Sequence, residues 1–388
     1  MRIRFINHAC VLIESQDVKI LTDPWFSGKA FNESWSLLVE MEVDPSIFDA
    51  IDYLWISHEH PDHFHIPTLR SLPDSFKQRV TVLFQENNSG KMFDAFRKLG
   101  FPRHRALPHR TQVSLTDRTR VYCYQVGQMD SALAVSSGNQ VVLDVNDAEM
   151  NARDCRIVRS DLGGIDTVLN QFSIAGYDGR CDYEERLSEL ASKILHNVSE
   201  NHRDLGAKVT IPIASMIYFS SVENRYINRF ANSPNACARF LEEHGQQGVV
   251  LYPGDTYEVD RPHDSSRARL LYSDLYAKLE SLSCDKSPIV SLDVIEAAFR
   301  KRVADLRDKY PRLLLRRLQA MTVRIPDLQC CVRFSISGEQ FEILEESKQA
   351  DLEIASQPLY YCFAHPFGMQ TLGVSARLIL SRLLTKSV

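Results

Sequence analysis

What the chain lacks narrows its class first. No uninterrupted apolar stretch reaches the ~18–20 residues a membrane helix requires, and the N-terminus has neither the apolar region nor the small-residue cleavage site of a secretory signal. The expectation is a cytoplasmic protein with no membrane partner. An excess of basic charge is also missing: net charge is -5 and the pI about 6.2. Nucleic acid is therefore not an expected partner. The basic run Arg312-Leu313-Leu314-Leu315-Arg316-Arg317 reads as a helix with solvated charges. The nine cysteines include no CxxC pair, and Cys330 and Cys331 are adjacent. This disfavours a disulfide framework and a zinc knuckle, and leaves the cysteines as small buried hydrophobes. No internal repeat or low-complexity tract is present.

What is there fits an enzyme-sized globule. With 388 residues, 44% apolar and 24% charged, the chain can bury a large core and form two domains, or one with an appendage. Cys10–Ile13 and Val18–Leu21 read as a hairpin about the turn Ser15-Gln16-Asp17. Further strands are expected at Val80–Phe84, Val121–Tyr124, Ala132–Val135, Val141–Leu143, Val209–Ile211 and Gly248–Tyr252. Between Asp182 and Asn197, Leu187, Leu190, Ala191, Ile194 and Leu195 recur with helical spacing and mark one buried face. Strands and helices mixed in this order fit two sheets covered by helices on their outer faces. After about residue 285 the character changes: a helical region to about Met321, strands around Val332–Leu344, then a loop-rich close through Phe363–Gly368. The expected division is 1–284 for the main domain and 285–388 for a smaller C-terminal domain or cap.

The densest chemistry is Ser57-His58-Glu59-His60-Pro61-Asp62-His63, directly after the apolar run Tyr53-Leu54-Trp55-Ile56. His58 and His60 alternate as on a strand end, so both rings can face one point. Asp62 and His63 follow where Pro61 turns the backbone and can face a second. Nitrogen and oxygen donors so placed suit one or two divalent ions. His65 reads as structural, and so does His365.

The pattern His58-x-His60-x-Asp62-His63 resembles the signature of the metallo-β-lactamase superfamily. Asp23-Pro24-Trp25-Phe26, Ala30-Phe31, Trp35, His8-Ala9-Cys10, Ile66-Pro67-Thr68-Leu69 and Met129-Asp130-Ser131 are similar to the catalytic part of the CMP-N-acetylneuraminic acid hydroxylases, and the resemblance covers most of the chain. It implies an α/β fold, a metallo-β-lactamase-like αββα sandwich, here with a smaller C-terminal α+β domain. It also implies that Asp147 bridges two metals, with Asp144 on the opposite face of its strand. His8 and Asp23 are then expected to orient ligands or water by hydrogen bonds.

Two departures matter. The segments Gly127–Asp130 and Tyr218–Ser221 lack the histidines that hydrolases of the superfamily place there. The hydroxylases also carry a Rieske domain, yet only Cys362-Phe363-Ala364-His365 matches one of its two elements.

Three readings stay open. Iron held by His58, His60 and carboxylates would make the chain an oxygenase of a small polar molecule, served by a separate electron-transfer protein. Zinc or manganese with Asp62 positioning water would make it a hydrolase of an ester, amide or phosphodiester. A degenerate site would leave a binding protein. Glu223-Asn224-Arg225-Tyr226 and Asn228 could hold an anionic or sugar-like group, or simply start a surface helix.

Overall fold

The computed structural model of the protein describes residues 1–87, 90–345 and 350–380. Two large sheets face each other. In one, the strand order is Thr256–Glu258, Arg2–Asn7, Cys10–Glu14, Lys19–Thr22, Tyr53–Trp55, Thr81–Gln85 and His104–Leu107. In the other it is Ala207–Ile213, Ile165–Gln171, Gln140–Asn146, Asp130–Ser137, Thr119–Val126 and Gln112–Ser114.

The period-two alternation of side chains assigns each strand residue to a layer. Ile3, Phe5, Val11, Ile13, Trp55 and Leu83 of the first sheet share one buried cluster with Val121, Leu133, Val135, Val142, Leu169 and Ile211 of the second. Their neighbours point outward. Leu12, Leu21, Leu54, Val82 and Phe84 pack under the helices that carry Leu69, Phe76 and Phe96. Ala132, Ala134, Leu143, Val145 and Val168 pack under Cys155, Val158 and Leu205 of two further helices. The result is four layers, helix on sheet on sheet on helix, with the central strands apolar on both faces because both are covered.

The hairpin forms as expected, with Leu12 opposite Leu21 and Ile13 opposite Ile20. The helix begun at Asp182 runs further than its apolar spacing indicated, over Tyr183–Leu205, and ends at Gly206 in the left-handed conformation. Gly248–Tyr252 is not a strand: Val249, Val250 and Leu251 are buried, but the stretch joins the second sheet through a single bridge, Thr210 to Gly248. A Cβ at Gly248 would come within 2.8 Å of the Ala238 backbone, so this stretch is pressed against a helix rather than laddered.

Beyond residue 285, the helix Leu292–Lys309 and the strands Met321–Ile325, Cys330–Ser335 and Gln340–Leu344 belong to a separate five-stranded sheet and core. The basic run is helical only over Arg312–Leu315. The loop-rich close is a correction: Ser356–Ala364 and Gly368–Ser375 are helices, with Leu359, Cys362, Phe363 and Leu372 in that core. Pro366 and Gly368 mark the break between them, not an irregular end.

Candidate metal centre

The chemistry gathers at one edge of the sandwich because the strands deliver it there. Arg2–Asn7, Lys19–Thr22 and Tyr53–Trp55 all run the same way, and their C-terminal ends supply His8, Asp23 and the segment from Ser57. Opposite them, Gln140–Asn146 ends at this edge and supplies Asp147, while its antiparallel neighbour Asp130–Ser137 begins here with Asp130. Crevices at the carboxyl ends of strands are the usual place for ligands in such sheets.

Three groups of side chains converge. His58, His60 and Asp130 form one, His58, His63 and Asp147 a second, and His8, Asp62 and His63 a third; within each, donor atoms lie within 4.8 Å of one another. His58 Nε2 is 2.8 Å from His60 Nδ1, 3.5 Å from Asp147 Oδ2 and 3.9 Å from Asp130 Oδ1. His63 Nε2 lies 3.4 Å from both Asp62 Oδ2 and Asp147 Oδ2. His8 Nε2 is 3.3 Å from Asp62 Oδ2.

Asp23, fully buried, organises the group from behind. It accepts from the Ser57 backbone at 2.8 Å, from Ser57 Oγ at 2.6 Å, from Asn146 Nδ2, and from His63 Nδ1 at 2.9 Å. With the Nδ1 proton held by Asp23, His63 turns Nε2 and its lone pair to the cluster.

Backbone strain marks the same place. His8, Asp23 and Asn146 all have positive φ, at 46°, 31° and 58°. Such conformations cost of order 1–3 kcal/mol each and persist where the surroundings fix them. At Asn146, with the ladder register shifted after Asp144, the twist carries Asp147 into the site. Asp144 itself stays between the sheets, wholly buried and with both oxygens unpartnered. Burial, with Asp23 nearby, pushes its pKa well above the carboxylate range.

The residues fit a metal. His8 Nδ1, His63 Nε2, Asp62 Oδ1 and Asp147 Oδ1 are buried without a hydrogen-bond partner, and four imidazoles and three carboxylates meet in one place. Burial disfavours every charge here. Even so, Asp62 is held well below the usual carboxylate range by His63 and His8, and Asp147 is lowered by His58 and His63. His63 is raised, its burial outweighed by Asp62, Asp147 and Asp23. Asp130 is pushed up to about 6 by burial and by Asp147. A cluster holding its carboxylates ionised against burial is one that positive charge stabilises.

Residues 2–132 match the family model described as a beta-lactamase superfamily domain. The four-layer sandwich and the edge that carries the histidines are those of the metallo-β-lactamase fold.

Among its relatives, a Mycobacterium tuberculosis protein provisionally named a Rieske 2Fe-2S iron–sulfur protein is 26% identical over 66% of this chain and 53% of its own length. The cytidine monophosphate-N-acetylneuraminic acid hydroxylase of Danio rerio is 25% identical over 61% of this chain and 42% of its own length. The chain thus spans about half, or less, of the curated relatives it matches. In fold, it is similar to the isothiocyanate hydrolase from Delia radicum gut bacteria, at 16% identity and a TM-score of 0.49 over 67% of this chain and all of that one.

Within the matched residues, the structure brings together His8, Asp23, His58, His60, Asp62 and His63, and Asp147 joins them from beyond residue 132. Asp130 was missed as a donor, because its segment was searched for a histidine and a carboxylate stands there instead. Ser57 and Asn146 were missed as partners of Asp23: Ser57 follows the strand paired alongside that of Asp23, and Asn146 arrives from the facing sheet. His65 caps the helix Ile66–Ser71 through Thr68, and His365 stacks on Tyr361 at 4.1 Å.

The run after Tyr218 is structural. Asn224 bonds the carbonyls of Ser34 and Ser375, Asn228 bonds Phe219, and Tyr226 packs on Tyr183. Among the described residues, no helix is long and apolar enough to cross a membrane.

Proposed function

We propose that this chain is a metal-dependent enzyme whose site holds non-haem iron and hydroxylates or otherwise oxidises a small polar molecule. The observation that carries the reading is Asp130 beside His58 and His60. Two imidazoles and one carboxylate are the donor set suited to Fe(II) oxygenases, which need open positions for substrate and oxygen. His8, Asp62 and His63 repeat that composition next to it, and Asp147 reaches both sets. Bound iron would supply the redox chemistry. The chain's own residues do the positioning: Asp23 fixes the tautomer of His63, and Ser57 links Asp23 to His58 at 3.0 Å. Asp62, with Oδ1 unpartnered, would accept a hydrogen bond from water or a substrate hydroxyl and hold its proton.

Similarity to a hydroxylase of a cytidine monophosphate sugar supports a polar substrate. Electrons would come from a separate electron-transfer protein. Cys362 is buried in the C-terminal core and His365 stacks on Tyr361, so they do not form half of a cluster site. The separate core after residue 285 supports reading 1–284 as the metal-binding unit and 285–388 as its companion domain.

One observation favours the hydrolase reading, with zinc or manganese: counting His8, four imidazoles reach the site, which meets the nitrogen demand of zinc. Metal analysis of protein purified without added metal, followed by oxygen-uptake assays with and without reductant, separates the two. Iron with reductant-dependent oxygen uptake supports the oxygenase. Anaerobic turnover by the zinc form, indifferent to reductant, overturns it.

A further inference from the structure

Phe31, Asn32 and Glu33 adopt positive φ three times in a row, at 49°, 58° and 59°. None is glycine, so each sets its Cβ against the backbone. A run of this kind persists only where its surroundings over-determine it. Part of the support is local: Ser34 Oγ donates to the Phe31 carbonyl at 2.7 Å, and the Ser34 N–H to Ala30 at 3.1 Å.

The rest comes from the far end of the chain. Asn32 and Gln357 exchange a pair of amide hydrogen bonds at 3.0 and 2.9 Å. Arg377 Nη1 donates to the Asn32 carbonyl at 3.0 Å. The Arg377 side chain is 1% exposed, reaches Glu223 at 3.3 Å and also bonds Ser287, yet leaves Nε unpartnered. Burying a guanidinium so incompletely satisfied is costly. Its burial against the Asn32 carbonyl is therefore a specific arrangement rather than generic packing. Asn224 adds a second tie, bridging the Ser34 and Ser375 carbonyls.

What the strained turn presents is Phe31. Its ring lies 4.5 Å from that of buried Trp35 and 6.0 Å, edge to face, from that of His60. His60 is only partly buried, unlike His8, His58 and His63. Its ring therefore depends on neighbours such as Phe31 for its orientation. We propose that the C-terminal part of the chain clamps the Phe31–Glu33 turn against the metal centre, with Gln357 and Arg377 as positioning residues acting on His60 through Phe31. The coupling to metal rests on the reading of the site given above; the clamp itself does not.

The test uses the full chain with Co(II) as probe, since the visible spectrum of bound cobalt reports coordination geometry. Gln357→Leu removes both amide bonds at similar volume, Gln357→Glu restores an acceptor for Asn32, and Arg377→Lys keeps charge without the forked donors. Gln357→Leu and Arg377→Lys should weaken cobalt binding by roughly tenfold, the scale of losing a partner that orients a ligand, and alter the cobalt spectrum. Gln357→Glu should recover part of both. Amide exchange over residues 30–36 should quicken in the metal-free variants and stay unchanged over 152–162. Unchanged cobalt affinity and spectrum in both variants overturns the coupling, and unchanged exchange over 30–36 overturns the clamp. Should the parent protein bind no cobalt, the metal reading falls; exchange and the His60 ring resonances of the metal-free variants still decide whether the clamp acts on His60.

Discussion

Asp130 gives the sharpest test of the site, because no histidine motif marks it and only the fold brings it to His58 and His60. Replacement by Ala removes one oxygen donor and leaves the backbone of the Asp130–Ser137 strand free to pair as before. Zinc-finger sites gain about 10–16 kcal/mol from four ligands. One donor is therefore worth about 3 kcal/mol, or on the order of a hundredfold in dissociation constant. Partial exposure of the Asp130 side chain, 29%, pulls the expectation toward the lower end.

The metal-free protein should respond in the opposite sense. Asp130 titrates near 6 in the fold, above the value of a free carboxylate, so the native state binds more protons than the unfolded one between about pH 4 and 6. Stability from this group is present below that window and lost as pH rises through it. Metal-free Asp130→Asn should thus match the parent at pH 4 and be the more stable at pH 7. Metal titration and urea unfolding at both pH values measure the two effects. Unchanged metal affinity in Asp130→Ala would refute the placement of this residue among the donors.

Other expectations follow from the same geometry. Replacing His58 and His60 together by Ala should abolish tight metal binding, as read by metal content after dialysis; full occupancy in the double variant would remove both from the site. Asp147→Ala should lower metal content after dialysis, and should also lower the unfolding midpoint of the metal-free protein at pH 7, because His58 and His63 hold its carboxylate ionised in the fold; unchanged metal content would remove it from the donors. Leu133→Ala, between the two sheets, should cost about 2–5 kcal/mol in urea unfolding; a loss under 1 kcal/mol would show that the sheets do not pack as described.

Much was legible in the sequence, because the relevant signals are local. Val11, Leu12 and Ile13 run continuously apolar, as a strand covered on both faces must. The segment from His58 to His63 carries four donors so close in sequence that any sharp turn after a strand gathers them. The hairpin at Ser15–Asp17 and the helix from Tyr183 follow from turn chemistry and spacing in the same way.

Other features depended on distance in the chain. Asp130 and Asp147 reach the histidines because the two facing sheets end at the same edge of the sandwich, a relation that no window of sequence contains. Nothing in the segment around Asn146 marked it as the donor to Asp23, 123 positions away. Gly248–Tyr252 had the composition of a strand, and tertiary packing left it one bridge instead of a ladder. The helices at Ser356 and Gly368 were hidden by Pro358, Pro366 and two glycines, whose local preference for breaks was outweighed by the core they complete. The layers and most of the residues that converge at the edge were legible in the sequence, since apolar runs and close spacing act over a few residues. The full donor set, the strained turn at Phe31–Glu33 and its ties to Gln357 and Arg377 came from the tertiary fold, because they depend on contacts between residues far apart in the chain.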